Sequence, residues 1–133
     1  MAEGSNPIDP VKLDRLAEVA IKVGLRLEPG QDLILTAPMS ALPLVRKIVE
    51  HAYKAGAGIV QPIFADEEIT LNRYRFAQDA SFDKAPGWLF EGMAKAFEGN
   101  AARLAAKIAS ASLPIATTSL SLGNTSLAQA GVG

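Results

Sequence analysis

Cysteine is absent from the chain, and histidine occurs once, at His51. The first absence removes disulfides, thiolate zinc sites and cysteine nucleophiles together, and it suits a reducing, cytoplasmic compartment. A large excess of one charge is missing too. Thirteen basic residues face fourteen acidic ones, so no basic footprint points to nucleic acid or to an anionic membrane. No apolar run approaches a transmembrane span, and the opening MAEGSNPIDP lacks the basic-then-apolar pattern of a secretory signal. Glycine-rich phosphate loops are also lacking. Thr36-Ala37-Pro38-Met39-Ser40 follows the first predicted strand without a glycine, and Gly56-Ala57-Gly58 precedes a strand instead, so nucleotide binding by that route is rejected.

What is present suits one soluble α/β domain. Of the 133 residues, 49% are hydrophobic and 20% charged, and a chain of this length buries about two-thirds of its unfolded surface. The organising stretch is Asp32 to Glu68, which reads as strand, helix, strand. Leu33, Ile34 and Leu35 form the unbroken apolar run of a strand covered on both faces. From Ser40 to Ala55, Leu44, Val45, Ile48, Val49, Ala52 and Tyr53 recur at helical spacing, and Gly56 supplies the left-handed stop. Gly58–Ala65 is the second strand, necessarily parallel to the first, and Pro62 restricts it to an edge or a bulge.

Around this unit, Asp9 and Pro10 open a first helix with Leu13, Leu16, Ala17, Ala20 and Val23 on its inner face and Gly24 at its end. Glu28-Pro29-Gly30-Gln31 is a type II turn. Asp66 caps a short helix through Ala77, and Pro86 starts another whose apolar face is Leu89, Phe90, Met93, Ala94 and Phe97, stopped by Gly99-Asn100. Ala101–Ala105 returns to the sheet as a third strand, although AARLAAKIA reads equally well as helix. The expected class is therefore α/β, a small parallel sheet with covering helices.

No catalytic, cofactor-binding or metal-binding residue is assigned. Ser40 follows a strand, where a hydrolase nucleophile could sit, but elbow glycines are missing and His51 lies about 16 Å further along the same helix. Ser40 is expected to cap that helix, and His51 beside Glu50 to lie at the surface or boundary. Asp66-Glu67-Glu68 is the one dense carboxylate group, at the carboxyl end of a strand. Capping and dipole complement account for it, and its further role is left open. In Arg73-Tyr74-Arg75-Phe76 the two arginines fall on different helix faces, giving a solvated face with Tyr74 packed.

The stretches LDRLAEVAIKVGLRLEPGQDLILTAP, ALPLVRKIVEHAYKAGAG, DEEITLNRYRFA and SFDKAPGWLFEGMAKAF cover most of Leu13 to Phe97. In that order they resemble the N-terminal domain of the thermophilic metallo-aminopeptidases. The resemblance implies a two-domain, homodimeric hydrolase that removes N-terminal residues from peptide substrates with two divalent metal ions of zinc or cobalt type. Its metal ligands belong to a catalytic C-terminal domain, so none maps onto this chain and no cofactor is expected in it. The alternative is a stand-alone binding or structural module.

Residues 1–107 are read as the α/β domain and 108–133 as a low-complexity tail. No charged residue occurs after Lys107, and Ser, Thr, Ala and Gly dominate. Lys107–Gly133 departs from the family pattern. It is expected to be irregular and loosely packed, so that its deletion changes stability little, while Phe90, Met93 and Phe97 are left exposed enough to promote self-association.

Overall fold

The computed structural model describes residues 9–108 and 118–124. Helix α1 spans Pro10–Val19, with Asp9 Oδ1 accepting the Val11 N–H at 2.9 Å and Pro10 in the first turn, where a missing N–H costs nothing. The helix then widens into a π turn, Ala20–Leu25. That turn alters the inner face expected from the sequence. Leu13, Ala17 and Ala20 are buried as expected, but Leu16 and Val23 are 40% and 64% exposed, and Ile21 and Leu25 fill the core instead. A π turn lengthens the hydrogen-bonded step and so rotates the residues that follow it. Gly24 is not the stop either. The left-handed position falls on Arg26, at φ 53°.

A four-stranded sheet is built from β1 (Leu33–Pro38), β2 (Val60–Ala65), β3 (Ala102–Ile108) and β4 (Thr118–Asn124), in the spatial order β2-β1-β3-β4. Strand β1 is central and parallel to both β2 and β3, with Leu33 opposite Val60 on one side and Ala102 on the other. Pro62 lies on the edge strand without interrupting the register. For β3 the structure selects strand over helix. Alternation puts Ala102, Leu104 and Ala106 into the core beside Leu33 and Leu35, a gain that outweighs alanine's helical preference.

The tail expectation needs one correction. Thr118–Asn124 forms β4, antiparallel to β3, with Asn124 opposite Ala102 and Thr118 opposite Ile108. Pairing supplies the backbone partners that the sequence pattern alone did not reveal. The remainder of the expected tail, 109–117 and 125–133, lies outside the described residues.

The core lies on one side of the sheet, between the strands and α1 and α2 (Leu42–Lys54). Ile21, Leu25, Leu33, Leu35, Leu44, Ile48 and Leu104 are its largest wholly buried side chains. Gly56, at φ 97°, ends α2 as expected. Ser40 does not cap it. Ser40 sits in a 3-10 turn, Met39–Ala41, and Ala41 holds the cap position without a side-chain bond. Across the sheet lies α4 (Gly87–Glu98), reached from α3 (Glu67–Phe76) through a 3-10 turn at Asp79–Asp83, and neither helix has a buried residue.

Candidate functional site

The carboxyl end of β2 delivers Asp66 to the start of α3. Its Oδ2 accepts the Ile69 N–H at 3.2 Å, and Glu67 and Glu68 stand exposed in the first turn. Asp66 therefore satisfies a helix-terminal donor, and the two glutamates complement the helix dipole. Among the described residues, no three His, Asp or Glu side chains are grouped to hold a metal ion.

His51 is placed differently from its expected boundary position. It is buried, 8% exposed, on the face of α2 that meets α1, and its Nε2 lies 3.0 Å from Asp14 Oδ1. Adjacent residues on a helix do point apart, and Glu50 is the one that takes the solvent side, reaching Lys54 at 2.7 Å and Lys47 at 3.5 Å. The overlooked signal was the spacing Leu44, Ile48, His51, which continues the apolar stripe. The hydrogen bond from His51, aided by the nearby charges of His51, Lys47 and Lys54, holds the Asp14 carboxyl below its ordinary value of 3.8. Lys47 lies 3.8 Å from the same oxygen. The arrangement clasps α1 to α2. Ser40 stands outside it, at the other end of the helix, so no Ser–His pair forms.

A second feature lies under α4. Leu33, Ile34, Ile59 and Ile63 from the sheet, with Trp88, Leu89, Gly92, Met93 and Ala96 from the helix, line a cavity of about 350 Å³. Its polar lining is confined to Asp32 and Gln61. Both are already engaged: Asp32 Oδ1 accepts the Ile59 N–H at 2.9 Å, and the Gln61 amide donates to the Pro62 carbonyl at 3.0 Å. Trp88 is 78% exposed at the rim and Phe90 is 54% exposed, whereas Met93 and Phe97 are half-buried. Tyr74 is not packed into the domain. It is 67% exposed and stacks on Phe82 at 5.9 Å, while the Arg73 guanidinium lies 5.2 Å from the same ring and donates to the Ser81 and Lys84 carbonyls.

Fold and side chains together define a parallel α/β domain whose described residues contain no phosphate loop, no nucleophile elbow and no grouped metal ligands. The chain belongs to the thermophilic metalloprotease (M29) family, whose pattern matches residues 10–129. That match extends past Lys107, so most of the segment expected to depart from the family pattern lies within it. Aminopeptidase T of Thermus thermophilus is 49% identical over 85 residues, covering 64% of this chain and 21% of that protein. Aminopeptidase 2 of Geobacillus stearothermophilus is 43% identical over 75 residues, covering 56% and 18%. A solved structure of wild-type AmpT from Thermus thermophilus superposes with a TM-score of 0.71 at 47% identity, covering 74% of this chain and 25% of that one. The chain thus spans about a fifth of the length of the curated relatives it matches. The family is a metalloprotease family, which implies metal ions. The described residues here do not fit one, so no hydrolytic step is assigned to them.

Proposed function

We propose that this chain is the N-terminal, non-catalytic domain, or a partial copy, of a dinuclear metallo-aminopeptidase that removes N-terminal residues from peptides. One observation carries the reading: sequence identity near 48% and fold similarity fall on the same stretch, and that stretch is only a fifth to a quarter of each relative. In this reading residues 1–107 form the domain, two zinc- or cobalt-type ions and the peptide substrate bind outside it, and the assembly is a cytoplasmic homodimer. The domain's role is to support and bound a catalytic half. A domain exchange tests it. Residues 13–97 of this chain are placed in Thermus thermophilus aminopeptidase T in exchange for the matching segment. Peptide hydrolysis within about tenfold of the parent is expected, and a folded but inactive chimera would overturn the reading. The chain alone, titrated with zinc or cobalt, is expected to show neither stoichiometric binding nor hydrolysis.

The exposed Tyr74, Phe76, Trp88 and Phe90 favour a second reading, a stand-alone binding module. Stable folding together with an inactive chimera would support it.

A further inference from the structure

Between the sheet and α4 lies a space that neither layer fills. Its floor is the sheet face turned away from the core. Ile34 sits opposite Gln61, and side chains alternate along a strand, so Ile34, Ile59, Gln61 and Ile63 share that face. Its roof is α4, where Leu89 and Met93 stand one turn apart beside Gly92. The roof is thinnest at Gly92, which has no side chain, and a Cβ added there would meet nothing within 4 Å. The volume left is about 350 Å³.

We propose that this cavity is a binding site for a small uncharged apolar molecule, aromatic or aliphatic in body and without an ionised group. Size and charge select that class. An apolar protein cavity of roughly 150 Å³ takes up benzene, so this one suits a body about twice as large, on the order of twelve carbon atoms. The two polar side chains at its margin are committed within the domain. Asp32 Oδ1 accepts the Ile59 N–H, and the Gln61 amide donates to the Pro62 carbonyl. A ligand amide or hydroxyl would therefore be desolvated for little return, and an anion would face the Asp32 carboxylate. Burial of apolar surface is then the main source of affinity. The exposed Trp88 adds an aromatic surface at the mouth, where a ligand ring can pack. This inference rests on neither reading of the chain's function, because it uses only the cavity and its lining.

The test titrates the full chain with two fluorophores of one ring system. One is uncharged N-phenyl-1-naphthylamine, and the other is its sulfonated counterpart, 1-anilinonaphthalene-8-sulfonate. The uncharged probe is expected to bind saturably, one per chain, and to raise the thermal midpoint, because it binds the folded state. The sulfonate should bind about tenfold more weakly or worse. Gly92→Leu fills the space and should weaken the uncharged probe about tenfold or more while the thermal midpoint holds or rises. Gly92→Ala, a smaller filling, should weaken it less, and that graded order separates occupation of the cavity from a failure to fold. Four results would each overturn the proposal. They are no saturable binding, equal affinity for the two fluorophores, folded Gly92 variants that bind as the unaltered chain does, and uptake that merely tracks association of copies in light scattering.

Discussion

His51 carries two consequences that belong to single side chains. Truncating it, as His51→Ala, leaves a void at the α1–α2 contact and removes the partner of Asp14. A loss of about 1–3 kcal/mol in urea melts at neutral pH is expected, with α1 amides exchanging first. The pH dependence has a definite sign. The folded-state value of Asp14 is depressed, so its contribution is present above the unfolded value and is lost as pH falls through the lowered one, below 3.8. Asp14→Asn should therefore destabilise the chain at neutral pH, and the gap from the unaltered chain should close toward pH 3. A gap that persists there would show that the bond matters through shape and not through charge.

Two glycines give a contrasting pair. A Cβ at Gly58 would press on Asp32 Oδ1 and lie 3.0 Å from the Gly30 carbonyl oxygen, disturbing the carboxylate that holds the Ile59 N–H. Gly58→Ala should cost about 1–3 kcal/mol. At Gly92, inside α4, nothing lies within 4 Å, so Gly92→Ala should stabilise by about 0.5–1 kcal/mol through helix propensity. Thermal melts of both variants decide the matter, and equal effects would contradict the packing described.

At the scale of elements, the α3–turn–α4 arm and the tail behave unlike the rest. Helix α3 is held at its end by Arg73, which bridges the Ser81 and Lys84 carbonyls and lies over Phe82. It buries no side chain, so its attachment is local. Arg73→Ala should speed hydrogen exchange in α3 while leaving the global midpoint nearly unchanged. The tail is the opposite case. Removing residues 109–133 deletes β4 and turns β3 into an edge. The expected loss is on the order of 2–4 kcal/mol from several ladder bonds, in place of the small effect that the sequence suggested. An unchanged denaturation midpoint would mean that β4 contributes little to the domain.

For the whole molecule, the asymmetry between the two sheet faces is the governing feature. One face carries the entire core cluster, and the other carries a helix that leaves Trp88 and Phe90 to solvent. Because Trp88 is the sole tryptophan, its emission is a direct readout. It should resemble that of a solvated indole, be quenched by iodide, and shift little on unfolding. A blue-shifted, protected emission would show that this face is covered in solution.

The sequence by itself determined the strand–helix–strand unit, the parallel pairing of β1 and β2, the cap at Asp9, the turn at Gly30 and the stop at Gly56. All of these follow from local periodicity or from conformations that one residue type favours. It also marked the family, because long ordered stretches of residues carry more information than any short motif. Only the tertiary structure decided the rest. A π turn at Ala20–Leu25 accompanies the burial of Ile21 and Leu25, and His51 lies buried at the α1–α2 contact, where it meets Asp14, 37 residues away in the chain. AARLAAKIA became a strand because β1 offered an unpaired side, and TSLSLGN became one because β3 then offered another. A ladder's hydrogen bonds lie between segments far apart in sequence, so neither segment's own pattern can reveal the partner that makes it a strand.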